Sequence, residues 1–407
     1  MNHTTKRYTP LFFCIFMGSV LFTILLSAYQ RGAGLPAFFY EKGASLIGDF
    51  SNNLHYPTHE GGPYYDSMWA SFPPLAYTFY YLINVCFTRA NYFLELMAYL
   101  AITIFSSVLL FYAVQRIFNQ GEQKDSLSPA ALGFSLCVLM SGISIFTLER
   151  GNSVFNVMVM LLFVLYLRNS TQAWKREAAL LLIALAAGMK IYPCLLGILY
   201  LLEKRYREAA RLMIYGLLFF FVPFLWFGGL DGFQHFLLNQ QAIHSLYRND
   251  YFTSIPSIAN FLAAQLQVPA APLISAAKII AYLFGAVMLV CVCLTKELWL
   301  RCLLLFSIAA LVPGWSAEYM ALYMVVPCAL FMSKAHVSSV KNLLYTVLFG
   351  GIFVLLPFPL PSALALHAPL SWNTLVCFAC LYFISFLAIF DILHTFFKSK
   401  KRALPLP

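Results

Sequence analysis

The sequence predicts an all-α polytopic membrane protein, and three observations lead to that fold class. First, 61% of the 407 residues are hydrophobic and only 10% are charged, whereas soluble domains have about 25% charged residues. Second, uncharged apolar runs such as 212–230 and 373–390 are long enough to cross a bilayer. Third, basic residues cluster in short intervals between these runs, as the positive-inside rule describes. We expect one membrane domain over residues 1–407, with about 11–13 transmembrane helices.

The candidate spans follow one another along the whole chain. The first begins after Lys6 and Arg7. Its apolar run exceeds the roughly 7–15 residues of a signal peptide core, so we expect an uncleaved helix. The sequence 178–202 contains Lys190 and Pro193, which predict a break in that span. The spans are 10–29, 73–88, 92–115, 129–147, 153–168, 178–202, 212–230, 273–295, 301–314, 317–332, 342–361 and 373–396.

Two long polar intervals, 30–72 and 231–272, contain few lysines or arginines. The positive-inside rule therefore predicts that both are extracytoplasmic loops of a protein in the cell membrane. The basic N-terminus and the tail 398–402 are then cytoplasmic. Aromatic residues and short amphipathic stretches in both loops favour ordered segments with short interfacial helices. The number of crossings between 73 and 177 is left open.

The placement of the charged residues and of the cysteines argues against a nucleic-acid-binding surface and against a metal site. The formal net charge is +10, but the lysines and arginines lie beside apolar runs. This placement fits contact with membrane lipid and argues against a nucleic-acid partner. All ten cysteines lie in or at the edge of apolar runs, where they behave as small hydrophobic residues. No metal-ligand spacing appears, so we expect neither a metal nor a cofactor.

Lys190, in the motif "KIYP", is the strongest candidate for chemistry. An ammonium in a membrane span costs about 2.5–3.5 kcal/mol, and such residues are functional hypotheses by default. A helix that breaks beside a buried cation predicts a site for a lipid phosphate. The alternative is that Lys190 pairs with a buried carboxylate or reaches the interface. Tyr192 of the same motif is predicted to contact the substrate.

A second candidate is the turn "LERGN", in which Arg150 and Asn152 stand between two apolar runs. The guanidinium fork of Arg150 suits a phosphate group, although an ordinary turn with an interfacial salt bridge explains the pattern equally well. A third is "PGWSAEY", where Trp315 could stack on a sugar ring beside the carboxylate of Glu318.

Asp49 lies in the first polar interval, within "IGDFSNN", and is followed by His55, His59, Glu60 and Asp66. An exposed loop aspartate is by itself only a solvated residue. The histidines and carboxylates show no standard metal spacing. We predict instead that His55 and Asp66 contact the substrate.

These pieces stand in the order of a known family. Along the chain they are "DF" after the first span, "FPP", "RGN", "KIYP" with the basic "EKRYREAA", "SIPSIANFL" and "PGWSAEY". From about residue 45 to 332, the chain resembles the GT-C membrane glycosyltransferases of family 87. This family is typified by mannosyltransferases that depend on polyprenol-phosphate mannose.

The resemblance implies a GT-C-type bundle and transfer of a hexose, with inversion, from a polyprenyl-phosphate donor to a lipid-linked or glycan acceptor hydroxyl. It makes Asp49 the general base, with Lys190 and Arg150 at the donor phosphate and Asn152 at the substrate. Two positions depart from the family pattern. The family usually has a glutamine at the position of Asn152 or next to it, and Glu318 stands where the family usually has a histidine.

Two other functions remain open at this point. A lipid-linked sugar transporter or flippase would be polytopic too, although transporters usually have two related halves. A polymerase or ligase of the O-antigen type would use a pyrophosphate-linked donor. The sugar, the acceptor and the linkage are not readable from the sequence.

Overall fold

The computed structural model describes residues 5–32, 46–67, 69–120, 127–245, 253–314, 316–360 and 371–403. Within these residues the chain forms seventeen α-helices and one short antiparallel strand pair. The predicted fold class, an all-α polytopic membrane protein, is confirmed.

The described elements are almost all helical. In chain order they are β1 Thr5–Lys6, α1 Thr9–Tyr29, α2 Gly48–His55, α3 Pro74–Ile83, α4 Tyr92–Phe118, α5 Pro129–Leu139, α6 Gly142–Glu149, α7 Val154–Leu167, α8 Ala173–Met189, α9 Gly197–Leu202, α10 Tyr206–Phe221, α11 Gly229–Ser245, α12 Ile255–Leu266, α13 Ala270–Leu294, α14 Leu298–Leu311, α15 Val325–Met332, β2 His336–Val337, α16 Val340–Ile352 and α17 Trp372–Ala403. Short 3₁₀ turns cover Tyr56–Thr58, Tyr192–Leu196, Val222–Trp226 and Glu318–Met324, and a π-helical turn covers Asn84–Thr88.

The chain divides into two compact units. The first, here called the site unit, is Gly32–Leu246. The second, the terminal unit, combines Met1–Arg31 with Tyr247–Pro407. The expectation of one membrane domain over 1–407 with extracytoplasmic loops at 30–72 and 231–272 stays a prediction.

Five described helices are long and apolar enough to cross a membrane, and the bent pair α5 and α6, with 56° between them, would make a sixth. Most of the other predicted spans appear as apolar helices of 10–17 residues, shorter than the roughly 20 residues that a full crossing needs. The five are Thr9–Tyr29, Tyr92–Phe118, Tyr206–Trp226, Ala270–Leu294 and Trp372–Lys398.

The break predicted near Lys190 is confirmed. Helix α8 ends at Met189, and Lys190 has an extended backbone with φ −146° and ψ 126°. A 3₁₀ turn that contains Pro193 follows, and α9 begins directly after it at Gly197. Proline lacks the N–H group that an uninterrupted helix would need at that position. The side chain of Lys190 therefore projects from a helix end rather than from the middle of a continuous helix.

An aromatic core in the site unit joins the first polar interval to the start of the second. The ring of Tyr64 lies 5.4 Å from that of Tyr77 and 5.5 Å from that of Phe236, measured between centroids. Phe224 and Phe227 complete the buried cluster. Because these rings exclude water, they fix the segment that leads from Tyr64 into α3 against the N-terminal half of α11.

Candidate active site

Asp49 lies in the first turn of α2 and is bound to the turn that follows α6. The backbone N–H of Ile47 donates to the carbonyl of Glu149 at 2.7 Å, and the N–H of Asp49 donates to the carbonyl of Arg150 at 2.8 Å. The carboxylate of Asp49 is 17% exposed. The "GDF" and "RGN" segments, which are about 100 residues apart in the chain, thus form one local structure.

Three side-chain donors hold the Asp49 carboxylate. Arg150 donates from Nε at 3.2 Å and from Nη2 at 2.6 Å, both to Oδ1. Asn152 donates from Nδ2 to Oδ2 at 2.7 Å. Both residues predicted to bind substrate or phosphate in this turn therefore orient the carboxylate directly.

Gly151 allows the turn to approach this closely. Its φ of +71° lies in the left-handed region, and a Cβ atom there would lie 2.7 Å from the Cβ of Phe50 and 3.1 Å from the Cα of Ile47. Such distances are below van der Waals contact, so only glycine fits without a shift of α2. The sequence "RGN" is therefore required by the packing as well as by the polar contacts.

The other side of α2 is fixed by Glu95, which lies on α4 and is buried. Ser51 donates to its Oε2 at 2.7 Å, and His55 Nε2 lies 3.0 Å from its Oε1. Asn84 also donates to the carbonyl of Leu54 at the end of α2, at 2.8 Å. Glu95 lies within an apolar run of the sequence, and its partners Ser51 and His55 are evident only in the structure. His55, predicted to contact substrate, is here a partner of Glu95 that stays 38% exposed.

Aromatic side chains surround the carboxylate. Phe50 packs against Tyr80 and Tyr99, with ring centroids 5.8 and 5.3 Å apart, and the hydroxyl of Tyr99 donates to the carbonyl of Leu148 at 2.6 Å. Burial raises the pKa of Tyr56, a hydrogen bond with Ser67 lowers it, and the negative charge of Asp49 raises it again. Aromatic rings therefore shield the Asp49 carboxylate partly from water.

The ammonium of Lys190 lies 3.3 Å from the centroid of the Phe72 ring, a cation–π contact. Lys190 is buried, and its charge interacts with that of Asp49. Phe72 immediately precedes Pro73–Pro74, so the "FPP" motif supplies the ring that covers the cation. Phe72 was not among the site residues predicted from the sequence.

Helix α11 holds the loop that ends at Phe72. The Nδ2 atom of Asn239 lies 3.1, 3.1 and 3.2 Å from the carbonyl oxygens of Tyr64, Ser67 and Ala70, and Gln240 donates to the carbonyl of Ser71. We call these two amides and their four carbonyl partners the loop clamp. No sequence motif signals it, because the partners are backbone atoms.

A second contact between the loop and α11 is the hydrogen bond from the hydroxyl of Tyr65 to Oδ2 of Asp231, at 2.7 Å. This bond raises the pKa of Tyr65 to about 12. A tyrosine is already protonated at neutral pH, so the raised pKa extends this donation to more alkaline pH. Its ring also packs on that of His235, with centroids 4.4 Å apart.

The remaining predicted site residues lie elsewhere. Asp66 is 56% exposed and pairs with His59 at 3.0 Å; among the described residues no hydrogen bond or ion pair joins it to Asp49. Tyr192 begins the 3₁₀ turn after Lys190. Trp315 is outside the described residues. Within the described ranges no group of three or more metal-ligating side chains could hold a metal ion.

Glu318 lies in the terminal unit, where it is buried at the start of a 3₁₀ turn. Its Oε1 accepts a hydrogen bond from Asn373 at 2.7 Å, and its Oε2 accepts one from Thr374 at 2.6 Å. Both donors are in the first turn of α17, where the helix dipole favours a negative charge. The described contacts of this carboxylate are therefore internal ones, and its predicted role at the substrate stays a prediction.

Comparison with protein families matches residues 71–315, more than half of the chain, to glycosyltransferase family 87. The chain belongs to this family. No curated protein matches it in sequence. The suspected membership is thus confirmed, and the protein is a membrane glycosyltransferase.

The match covers the "RGN" and "KIYP" segments of this family 87 glycosyltransferase, and Asp49 precedes its first residue. What ties Asp49 to the matched region is geometry, namely its backbone bond to Arg150 and the three side-chain bonds from Arg150 and Asn152. The backbone bond from Ile47 to Glu149 supports the same contact.

Proposed function

We propose that the protein transfers a hexose, specifically mannose, from a polyprenyl-phosphate donor to a hydroxyl of a lipid-linked or glycan acceptor at the extracytoplasmic face, with inversion. The observation that carries this proposal is the Asp49 carboxylate, oriented by direct bonds from Arg150 and Asn152. The same unit contains a second, buried cation, Lys190, at a helix break. A glycosyl transfer needs a base for the acceptor hydroxyl and a cation for the leaving group.

Asp49 acts as the general base. An ionised carboxylate offers about four lone-pair sites, and Arg150 and Asn152 use three of them. Roughly one site on Oδ2 is left for the proton of an acceptor hydroxyl. Because the three bonds fix the plane of the carboxylate, that site has a defined direction.

Lys190 stabilises the phosphate that leaves with the polyprenyl chain. Two cations and one carboxylate leave the site with one net positive charge, which matches the single negative charge of a sugar phosphodiester. The covering ring of Phe72 keeps water from one side of the ammonium, and electrostatic stabilisation is stronger where water is excluded. Arg150 adds a second positive charge, so the site needs no metal cofactor.

The acceptor and the sugar are held by residues around this core. We assign Asn152 and Tyr192 to the donor sugar, and His55 and Asp66 to the acceptor in the first polar interval. Trp315 and Glu318 belong to the terminal unit, and their contact with the substrate is proposed from the sequence alone. These roles rest on the family resemblance and on the position of each residue in the chain.

The experiment uses the full chain reconstituted in liposomes with a polyprenyl-phosphate hexose, a polyprenyl-pyrophosphate hexose and a panel of glycolipid acceptors. We expect release of polyprenyl phosphate only with the monophosphate donor and an acceptor, and a product whose anomeric configuration is opposite to that of the donor. The proposal would be refuted if the protein used the pyrophosphate donor and not the monophosphate donor. It would also be refuted if the donor crossed the bilayer without sugar transfer.

A further inference from the structure

A groove in the terminal unit lies between the first turns of α16 and the C-terminal part of α17. It has a volume of about 820 Å³. Its walls combine apolar side chains, Leu344, Leu387 and Phe390, with charged ones, Lys341, Asp391 and Lys398. None of these residues belongs to the candidate active site.

The groove lies at the end of a membrane span. The apolar span of α17 runs from Trp372 to Lys398, so Lys398 stands where hydrocarbon gives way to lipid head groups. Phe390, two turns earlier, is 69% exposed. Apolar and cationic walls thus follow each other in the order in which a lipid presents its acyl chain and its head group.

Lys341 is held at the head-group end of the groove. Its ammonium lies 2.9 Å from Oδ1 of Asp391, and its side chain is 47% exposed. An ammonium has three donors, so this bond leaves others for a ligand.

We propose that this groove binds an anionic phospholipid. The lipid phosphate lies between Lys341 and Lys398, and an acyl chain lies along Leu344, Leu387 and Phe390. Basic pockets between transmembrane helices recognise anionic head groups in this way. A zwitterionic lipid would bring its own cation close to the lysines and would bind less tightly. The site is independent of the glycosyl transfer proposed above.

The test is native mass spectrometry of the purified full chain with phosphatidylglycerol or phosphatidylcholine of identical acyl chains. We expect retention of phosphatidylglycerol in preference to phosphatidylcholine. Lys341→Gln and Lys398→Gln should each weaken that retention about fivefold, since one lysine near an anionic lipid contributes about 1 kcal/mol. Lys296→Gln, which removes an exposed lysine between α13 and α14, is the matched control and should change nothing.

Asp391→Asn separates ligand binding from a structural ion pair. It frees the Lys341 ammonium and removes a negative charge from the groove, so we expect retention of phosphatidylglycerol to be equal or tighter. Equal retention of the two lipids, or equal loss in Lys296→Gln and Lys398→Gln, would overturn the proposal by showing only diffuse attraction. Loss in Asp391→Asn as large as in Lys341→Gln would overturn it too, because the pair would then be structural.

Discussion

The guanidinium of Arg150 donates twice to one oxygen of Asp49, from Nε at 3.2 Å and from Nη2 at 2.6 Å. Asn152 takes the second oxygen. A carboxylate held by both oxygens can turn little, so its remaining lone pair points in one direction. The "RGN" turn therefore orients the carboxylate that we propose as the general base.

Replacing Arg150 by lysine tests whether the guanidinium orients the Asp49 carboxylate. Lysine keeps the positive charge but lacks the planar guanidinium, whose Nε and Nη2 both donate to Oδ1 of Asp49. We expect turnover to fall by about tenfold to a hundredfold, which is less than the roughly hundredfold to ten-thousandfold that a positioned general base contributes, because the base is still present but less well oriented. The measurement is the initial rate of polyprenyl phosphate release. Arg89→Lys, at an exposed arginine of the same unit, should leave the rate unchanged; equal rates for both variants would show that the fork has no role.

Gly151→Ala should destabilise the site unit. The residue has φ +71°, and the added Cβ would lie 2.7 Å from the Cβ of Phe50. The left-handed backbone alone costs about 1–2 kcal/mol in an alanine. Thermal unfolding should shift to lower temperature. Gly216→Ala is the matched control, because that glycine is helical with nothing within 4 Å of the added atom, and it should gain about 0.5–1 kcal/mol. Equal stability of the two variants would contradict the packing described here.

Lys190→Met separates function from stability. Methionine keeps an apolar chain of similar length under the Phe72 ring but has no charge. We expect turnover to fall about a hundredfold to a thousandfold, as for the loss of one electrostatic donor in other enzymes. The midpoint of thermal unfolding should not fall, because burying the ammonium is itself unfavourable. Lys296→Met, at an exposed position, should change neither quantity. Loss of stability in parallel with activity would indicate a structural role for Lys190.

Asn239→Ala tests the loop clamp. It removes the donor shared by three carbonyls at 3.1–3.2 Å, and we expect a loss of about 1–3 kcal/mol in the stability of the loop. Amide hydrogen exchange over residues 64–72 should accelerate, and the KM for the donor should rise because Phe72 no longer covers Lys190. Gln241→Ala, on the exposed side of α11, is the control. Unchanged exchange in Asn239→Ala would contradict the clamp.

The sequence predicted those features that depend on neighbouring residues, and it did not predict contacts between residues far apart in the chain. Long apolar runs predict membrane helices, and Lys190 three residues before Pro193 predicts the broken helix, since both depend on neighbouring residues. The pairing of Asp49 with Arg150 spans 101 residues and depends on how α2 packs against the turn after α6. Nothing in either motif alone specifies that contact.

Glu95 and Asn239 also show that partners distant in the chain cannot be read from the sequence. A carboxylate inside an apolar run signals that a partner exists, but the partners Ser51 and His55 become visible only in the fold. Asn239 gives no signal at all, because it binds backbone carbonyls that every residue has. For Glu318, the sequence showed a polar residue at a family position, whereas its contacts with Asn373 and Thr374 are internal to the terminal unit.

The central claim is that Asp49 is the general base, and one measurement tests it most directly. The rate of sugar transfer at saturating donor and acceptor is compared between Asp49→Asn and Glu60→Gln, which neutralises an exposed carboxylate on the same loop, with donor binding and thermal unfolding measured for both. We predict that Asp49→Asn still folds and binds the donor but transfers sugar at least about a hundredfold more slowly, while Glu60→Gln keeps the full rate. Normal transfer by folded Asp49→Asn would contradict the account.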